Sequence, residues 1–152
     1  MKRNIVGFHL DEEGDWVAEL DCYHGQHVRH APPFIMRPWV TTEEGRQDKI
    51  GEALECVRCD ALEFPEDLVP YKKTAEFTEI TIPKGFQKDH STKEGTWGVI
   101  KVLQGTLMYT VNYPTVVEHE IIAGQQGIIP PCLLHSVRAQ GPVVFFVEFY
   151  SK

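Results

Sequence analysis

Gly124-Gln125-Gln126-Gly127-Ile128-Ile129-Pro130-Pro131-Cys132-Leu133-Leu134-His135 holds a glycine turn, a short apolar run, a double proline and a histidine. Glycine and proline bound the apolar piece on both sides, and nothing recurs at helical spacing. The segment therefore reads as strand, turn and the start of another strand. The same pattern extends outward in both directions. Phe77 to Ile82, Trp97 to Leu103, Thr106 to Asn112, Val116 to Ile122, Gly127 to Pro130, His135 to Ala139 and Val143 to Tyr150 are short strand candidates bounded by Gly, Pro or Asn. Many short strands with turn signals and no helical period predict a sandwich or barrel over residues 71–152.

Upstream, residues 61–70 carry two prolines and three acids without a sustained period, and read as a linker. Residues 1–60 read as a small α+β unit. Asn4 to Leu10 and Asp15 to Asp21 form a hairpin around the turn Asp11 to Gly14, and a third extended piece runs from Gln26 to His30. Thr41-Thr42-Glu43-Glu44 reads as a capping box, opening a helix expected to reach about Leu54.

The 152 residues carry a net charge of −7. That balance disfavours general binding to nucleic acid or an anionic membrane. No apolar run approaches the roughly twenty residues of a membrane span, and the start of the chain does not read as a secretory signal. A soluble, cytoplasmic protein is expected. Residues 22–40 contain no Asp or Glu but hold His24, His27, Arg29, His30 and Arg37.

There the chemistry concentrates. Cys56-Val57-Arg58-Cys59 is a C-x-x-C, and Cys22-Tyr23-His24 is a second pair at a strand end. Together they make a Cys₃His set, a usual closed tetrahedral zinc site. His27 is the alternative fourth ligand, and His30 is expected to cap a turn or face solvent. A redox role for Cys56 and Cys59 would want a βαβ setting, which is absent. A unit of this size has a marginal core, so structural zinc would supply much of its stability. The runs Ile5-Val6-Gly7-Phe8-His9, Gly14 to Leu20, His24 to His30, Arg37-Pro38-Trp39-Val40 and Cys56 to Cys59 resemble a short bacterial Cys/His-rich domain of unknown function, to which no activity is attached.

The second half suggests a different centre. Glu148 lies in Val143-Val144-Phe145-Phe146-Val147-Glu148-Phe149-Tyr150, where a carboxylate is costly unless it is paired or bound to a cation. With His135 and His90 it would make a two-His, one-carboxylate site with open positions, suited to Fe, Mn, Ni or Zn. The competing readings place Glu148 on an edge strand, paired with Lys101, or give its role to Glu94. His119 reads as exposed, Cys132 as a packed thiol, and Trp97 with Phe145 and Phe146 as core.

Residues 124–135 fit the second cupin motif, G-x₅-P-x-G-x₂-H-x₃-N, with Cys132 in place of the middle glycine and Ala139 in place of the final asparagine. The first cupin motif is degenerate: counting back from Gly105 puts Gly98 at the family's glutamate position. Tyr71-Lys72-Lys73-Thr74, His90-Ser91-Thr92-Lys93, Gly95-Thr96-Trp97-Gly98, Val102 to Gly105, Ile129-Pro130-Pro131, His135 and Phe145 to Tyr150 make residues 70–151 similar to the TehB-like and YeaR-like small cupins, related to tellurite resistance. The resemblance implies a single cupin β-barrel (a double-stranded β-helix) behind a zinc-ribbon-like unit, and a role near oxyanion stress. It implies no settled reaction. In some relatives this domain precedes a methyltransferase. No glycine-rich nucleotide loop is present here, so methyl transfer is not expected. Two functions remain open: a metalloenzyme acting on a small molecule, or a non-catalytic metal- or oxyanion-binding module whose zinc domain reports to a partner. The expected partner is a small molecule or an oxyanion, with homodimerisation open.

Overall fold

The computed structural model describes residues Met1–Lys152, which divide into two compact units, Met1–Ala61 and Leu62–Lys152. The chain is mainly β, as expected: a small α+β unit and a β-rich unit built on one bent, six-stranded sheet. No helix is long and apolar enough to cross a membrane.

In the first unit, β1 (Lys2–Leu10) and β2 (Trp16–Leu20) form the expected hairpin, and β3 (Gly25–His27) extends it. The helix is shorter than the capping box implied. Its N-cap is Thr42, whose hydroxyl accepts from Gly45 N at 3.0 Å, so glycine occupies the position a boxed glutamate would need. Helix α1 (Glu43–Lys49) stops before Gly51, which takes φ +91°. The residues expected to continue it instead form β4 (Ala53–Glu55), which pairs with β1 and gives the sheet order β3-β2-β1-β4. A short helix, α2 (Val57–Asp60), follows at once.

In the second unit, the stretch read as a linker is structured. Phe64 meets Trp97 and Tyr150 edge-on, at ring centroid distances of 5.9 and 5.1 Å, and Val69–Lys73 is a strand, β5. Only Phe77–Thr78 of the next candidate is strand (β6), the rest being turn. Four expected strands merge into two. β7 (Trp97–Asn112) runs unbroken through Gly105, and β10 (His135–Ser151) runs through Gly141-Pro142. Between them lie β8 (Val116–Ile122) and β9 (Gln126–Ile129). β7 and β10 pair along nearly their whole length, with register shifts between Ala139 and Val143 and between Val144 and Phe145. Those shifts bend the ribbon without breaking it. Gly105 sits at the bend with φ +76°, and a Cβ there would lie 1.9 Å from the Pro142 carbonyl oxygen.

The bend lets one strand pair serve both halves of the barrel. β9 and β8 line the far side of β7, while β6 and β5 line the far side of β10. Trp97, Tyr109, Phe145, Ile100 and Leu107 are buried at the centre. The outer strands are guarded by charge: β5 carries Pro70, Lys72 and Lys73, and β8 carries Glu118 and Glu120.

Candidate metal centre and barrel pocket

The first unit brings Cys22, His24, Cys56 and Cys59 together, all buried, with their ligand atoms within 4.8 Å of one another. Cys22 and His24 sit on the turn after β2, where Tyr23 takes φ +74° and bends the chain so that both neighbours point inward. Cys56 caps α2, its sulfur accepting from Cys59 N at 3.5 Å, and the single turn of helix aligns the two sulfurs. The distances suit one ion. Zn–S bonds of about 2.3 Å and Zn–N bonds of about 2.0 Å at tetrahedral angles require S···S near ~3.8 Å and S···N near ~3.5 Å. Cys22 and Cys56 sulfurs are 3.8 Å apart, and the three sulfurs stand 3.6, 3.4 and 3.6 Å from His24 Nδ1. The donor set therefore fits zinc.

Between His24 and His27, the structure favours His24. His27 is exposed and bonds Asp11 at 2.9 Å. His30 caps a turn by accepting from Arg37 N.

The three thiols titrate as a set. Hydrogen bonds from Cys22 and then Cys59 hold Cys56 far below the ordinary thiol range. Bonding to Cys22 and Cys56, and burial, push Cys59 far above it. Arg3, which sequence reasoning overlooked, joins this neighbourhood. It is buried on β1 with Leu54 as ladder partner, and its positive charge favours the Cys59 thiolate. A buried guanidinium needs a counter-charge, and the thiolates of a metal-bound set would supply one. An Arg at the second position of a strand gives no signal of this in the sequence. The adjacent backbone also ties down the C-x-x-C: Cys56 N donates to Met1 O at 2.8 Å, and the Met1 amine pairs with Asp60 and Glu55.

In the second unit, His90 and His135 meet, with ring centroids 4.7 Å apart. His90 stacks on Phe86 at 5.1 Å. They line a cavity of about 20 Å³ whose other walls include Ile100, Ile129, Phe145 and Val147. That is room for about one water molecule, so a larger ligand enters only where the wall yields. Burial drives the His135 pKa down to about 4, although a bond to the Leu133 carbonyl at 2.9 Å works the other way. A carbonyl only accepts, so Nδ1 carries the hydrogen and Nε2 keeps a lone pair. Burial lowers His90 as well.

Glu148 is not part of this group, which corrects the three-ligand site. Along β10, Val143, Phe145 and Val147 turn inward, so Glu148 faces the opposite side. There it accepts from Lys101 Nζ at 3.0 Å and from the Tyr150 hydroxyl at 2.6 Å. Glu94 does not replace it; it is exposed in a separate cleft with Lys93 and Tyr71. The pocket thus has two imidazoles and no carboxylate. Cys132 is exposed, not packed, and holds the motif's glycine position at φ +61°.

Comparison with known proteins gives residues 6–63 a match to a family model described as a protein of unknown function (DUF3565), and residues 72–147 a match to the model described as the TehB-like domain. Two curated relatives, both named probable S-adenosyl-L-methionine-dependent methyltransferase TehB, come from Haemophilus influenzae strains Rd and 10810. Each is 39% identical over 56 residues, covering 35% of this chain and 20% of the relative. The chain therefore spans about a fifth of the length of these relatives. Among solved structures, TehB from Haemophilus influenzae aligns at TM-score 0.53 and 30% identity, over 57% of this chain and 32% of that one. A protein from E. coli strain K12 aligns at TM-score 0.54 and 22% identity, over 58% of this chain and 94% of that one, and shows the fold alone.

Proposed function

The chain belongs to the TehB-like domain family through residues 72–147, and from that premise we propose that it is a zinc-stabilised, non-catalytic binding module for a small oxyacid. The observation that carries this reading is the His90–His135 pair facing a cavity of about 20 Å³ with no carboxylate. Two neutral imidazoles in an apolar wall make a poor seat for a naked anion, because nothing compensates its desolvation. They suit a small ligand that brings its own proton and donates it in a hydrogen bond to a ring nitrogen. Hydrogen tellurite and hydrogen selenite, monoanions at neutral pH, carry such a proton and half the charge of sulfate. The Cys₃His cluster holds structural zinc and serves stability. A cytoplasmic location, where thiols stay reduced, is part of the proposal. The methyl transfer named for the curated relatives is not.

Calorimetry with tellurite, selenite and sulfate tests it. Tellurite and selenite bind, and sulfate, which carries no proton at neutral pH, does not. His135→Ala abolishes the heat while zinc stays at one per chain. Binding that survives His135→Ala, or a methylated product in the presence of a methyl donor, overturns the proposal.

A further inference from the structure

Between β3 and α1 the chain makes a tight tip. Ala31 and Ile35 exchange both backbone hydrogen bonds, at 2.9 and 3.0 Å, closing a turn over Pro32, Pro33 and Phe34. Arg37 N donates to His30 Nδ1 at 3.0 Å and clamps the base. The turn is thus pinned at two levels, yet Phe34 is 94% exposed and Met36 63%. An ordered turn that holds a phenylalanine in water forgoes the stabilisation its burial would give.

Immediately beside the tip lies a cavity of about 290 Å³, ample for a benzyl group, with Trp16, Val28 and Val40 among its walls. His30 and Ala31, the base of the tip, also line it. Knob and hole therefore belong to one continuous patch, which is what a two-fold contact between identical surfaces requires. We propose that a second copy of this chain is the partner of this patch, with Phe34 of each copy seated in the Trp16 cavity of the other.

Charge fits the same pairing. The tip rises from a stretch without acids and carries Arg37. The cavity is bordered by Gly14, by Asp15 and by Arg29, which pairs with Asp15 at 3.2 Å, so the free acidic charge beside it is that of the exposed Glu12 and Glu13. A two-fold operation brings each copy's Arg37 toward the other's acidic turn and suppresses mismatched partners. Two phenylalanines and the walls that receive them make a small contact, below the roughly 1,200 Å² where standard interfaces begin, so a reversible dimer of micromolar affinity is the expected form.

Sedimentation of the full chain at roughly 100 µM, well above such a dissociation constant, gives a dimer that dilution dissociates. Phe34→Ser, at an exposed position, keeps its zinc and its fold and sediments as a monomer. Arg37→Glu weakens the dimer at least tenfold, and adding Glu12→Arg with Glu13→Arg restores it. The methyl signals of Val28 and Val40 move on dilution of the wild type and stay fixed in Phe34→Ser. A monomeric wild type at that concentration, or a Phe34→Ser protein that still dimerises, overturns the proposal. So does a dimer whose Val28 and Val40 signals ignore dilution, since its interface then lies elsewhere.

Discussion

His90 and His135 are joined twice through their backbones before their rings ever meet: His90 N donates to His135 O at 2.9 Å, and His135 N donates to His90 O at 2.8 Å. This isolated antiparallel bridge fixes a loop residue opposite the first residue of β10. The bridge fixes the two backbones, and the rings are then placed by the Phe86 stack on His90 and the Leu133 carbonyl on His135.

The pair makes the barrel acid-sensitive. His135 is depressed to about 4, so the unfolded imidazole takes up its proton first. The stability tied to its burial is fully present above about pH 6.5 and is lost progressively as pH falls toward 4, by up to about 3 kcal/mol. Burial of His90 adds in the same direction. Thermal melts from pH 8 down to about 4 show this slope for the second unit, and His135→Gln flattens it. An unchanged slope in that variant assigns the acid sensitivity to other groups.

Removing one sulfur dismantles the first unit. Cys56→Ser loses one equivalent of zinc and the dispersed amide signals of residues 1–61, while the barrel signals persist. Arg3→Gln keeps all four ligands but surrenders zinc to a chelator sooner, because the thiolates lose a buried positive neighbour. Elemental analysis and a chelator competition series check both.

Glu148→Gln leaves metal content and oxyacid binding unchanged. Its carboxylate serves Lys101 and Tyr150 on the outer face, and a half-exposed pair of this kind contributes about 1 kcal/mol or less. The sensitive readout is Lys101, whose ammonium Glu148 stabilises. Its titration followed by NMR moves downward in the variant. Loss of a metal equivalent on this substitution restores the carboxylate to the barrel site.

Gly105→Ala costs the barrel about 3 kcal/mol or more, since the new methyl collides with the Pro142 carbonyl and a positive φ is strained for alanine. Gly124→Ala, also at positive φ but with nothing within 4 Å, is milder. Urea unfolding of the two variants gives the difference.

Residues 62–152 expressed without the first unit fold cooperatively, because the buried centre around Trp97, Tyr109 and Phe145 comes wholly from that segment. A fragment that fails to melt cooperatively shows that the barrel depends on residues 1–61.

What could be read beforehand follows from how local each signal is. C-x-x-C and C-x-H are short-range pairs whose chemistry needs no knowledge of the fold, and all four donors converge. His135 was legible through the spacing of glycine and proline before it. Glu148 was misplaced because Val143–Tyr150 is apolar on both faces: Phe145 and Val147 fill the barrel, while Phe146 lies 5.9 Å from both the Lys73 and Lys101 ammonium groups outside it. Counting in twos from His135 puts Glu148 outside, but Gly141-Pro142 reads as a strand end and interrupts the count. Residues 61–70 hid their structure in one side chain: Phe64 packs against Trp97 through contacts distant in sequence, which no local pattern announces. The helix ran short for a reason that is local, the positive φ of Gly51, but a glycine in sequence does not reveal which conformation it will take.

The lysines of β5 and the glutamates of β8 give opposite rims of one sheet opposite signs. Between molecules, a cationic rim and an anionic rim attract, and strands added in that head-to-tail sense grow into fibres wherever the rotation does not close a ring. Pro70 stands in that path. It offers no N–H to an incoming strand, so the ladder that would lengthen such a polymer is one donor short at its first contact. A single imino acid thus works against strand addition at the cationic rim.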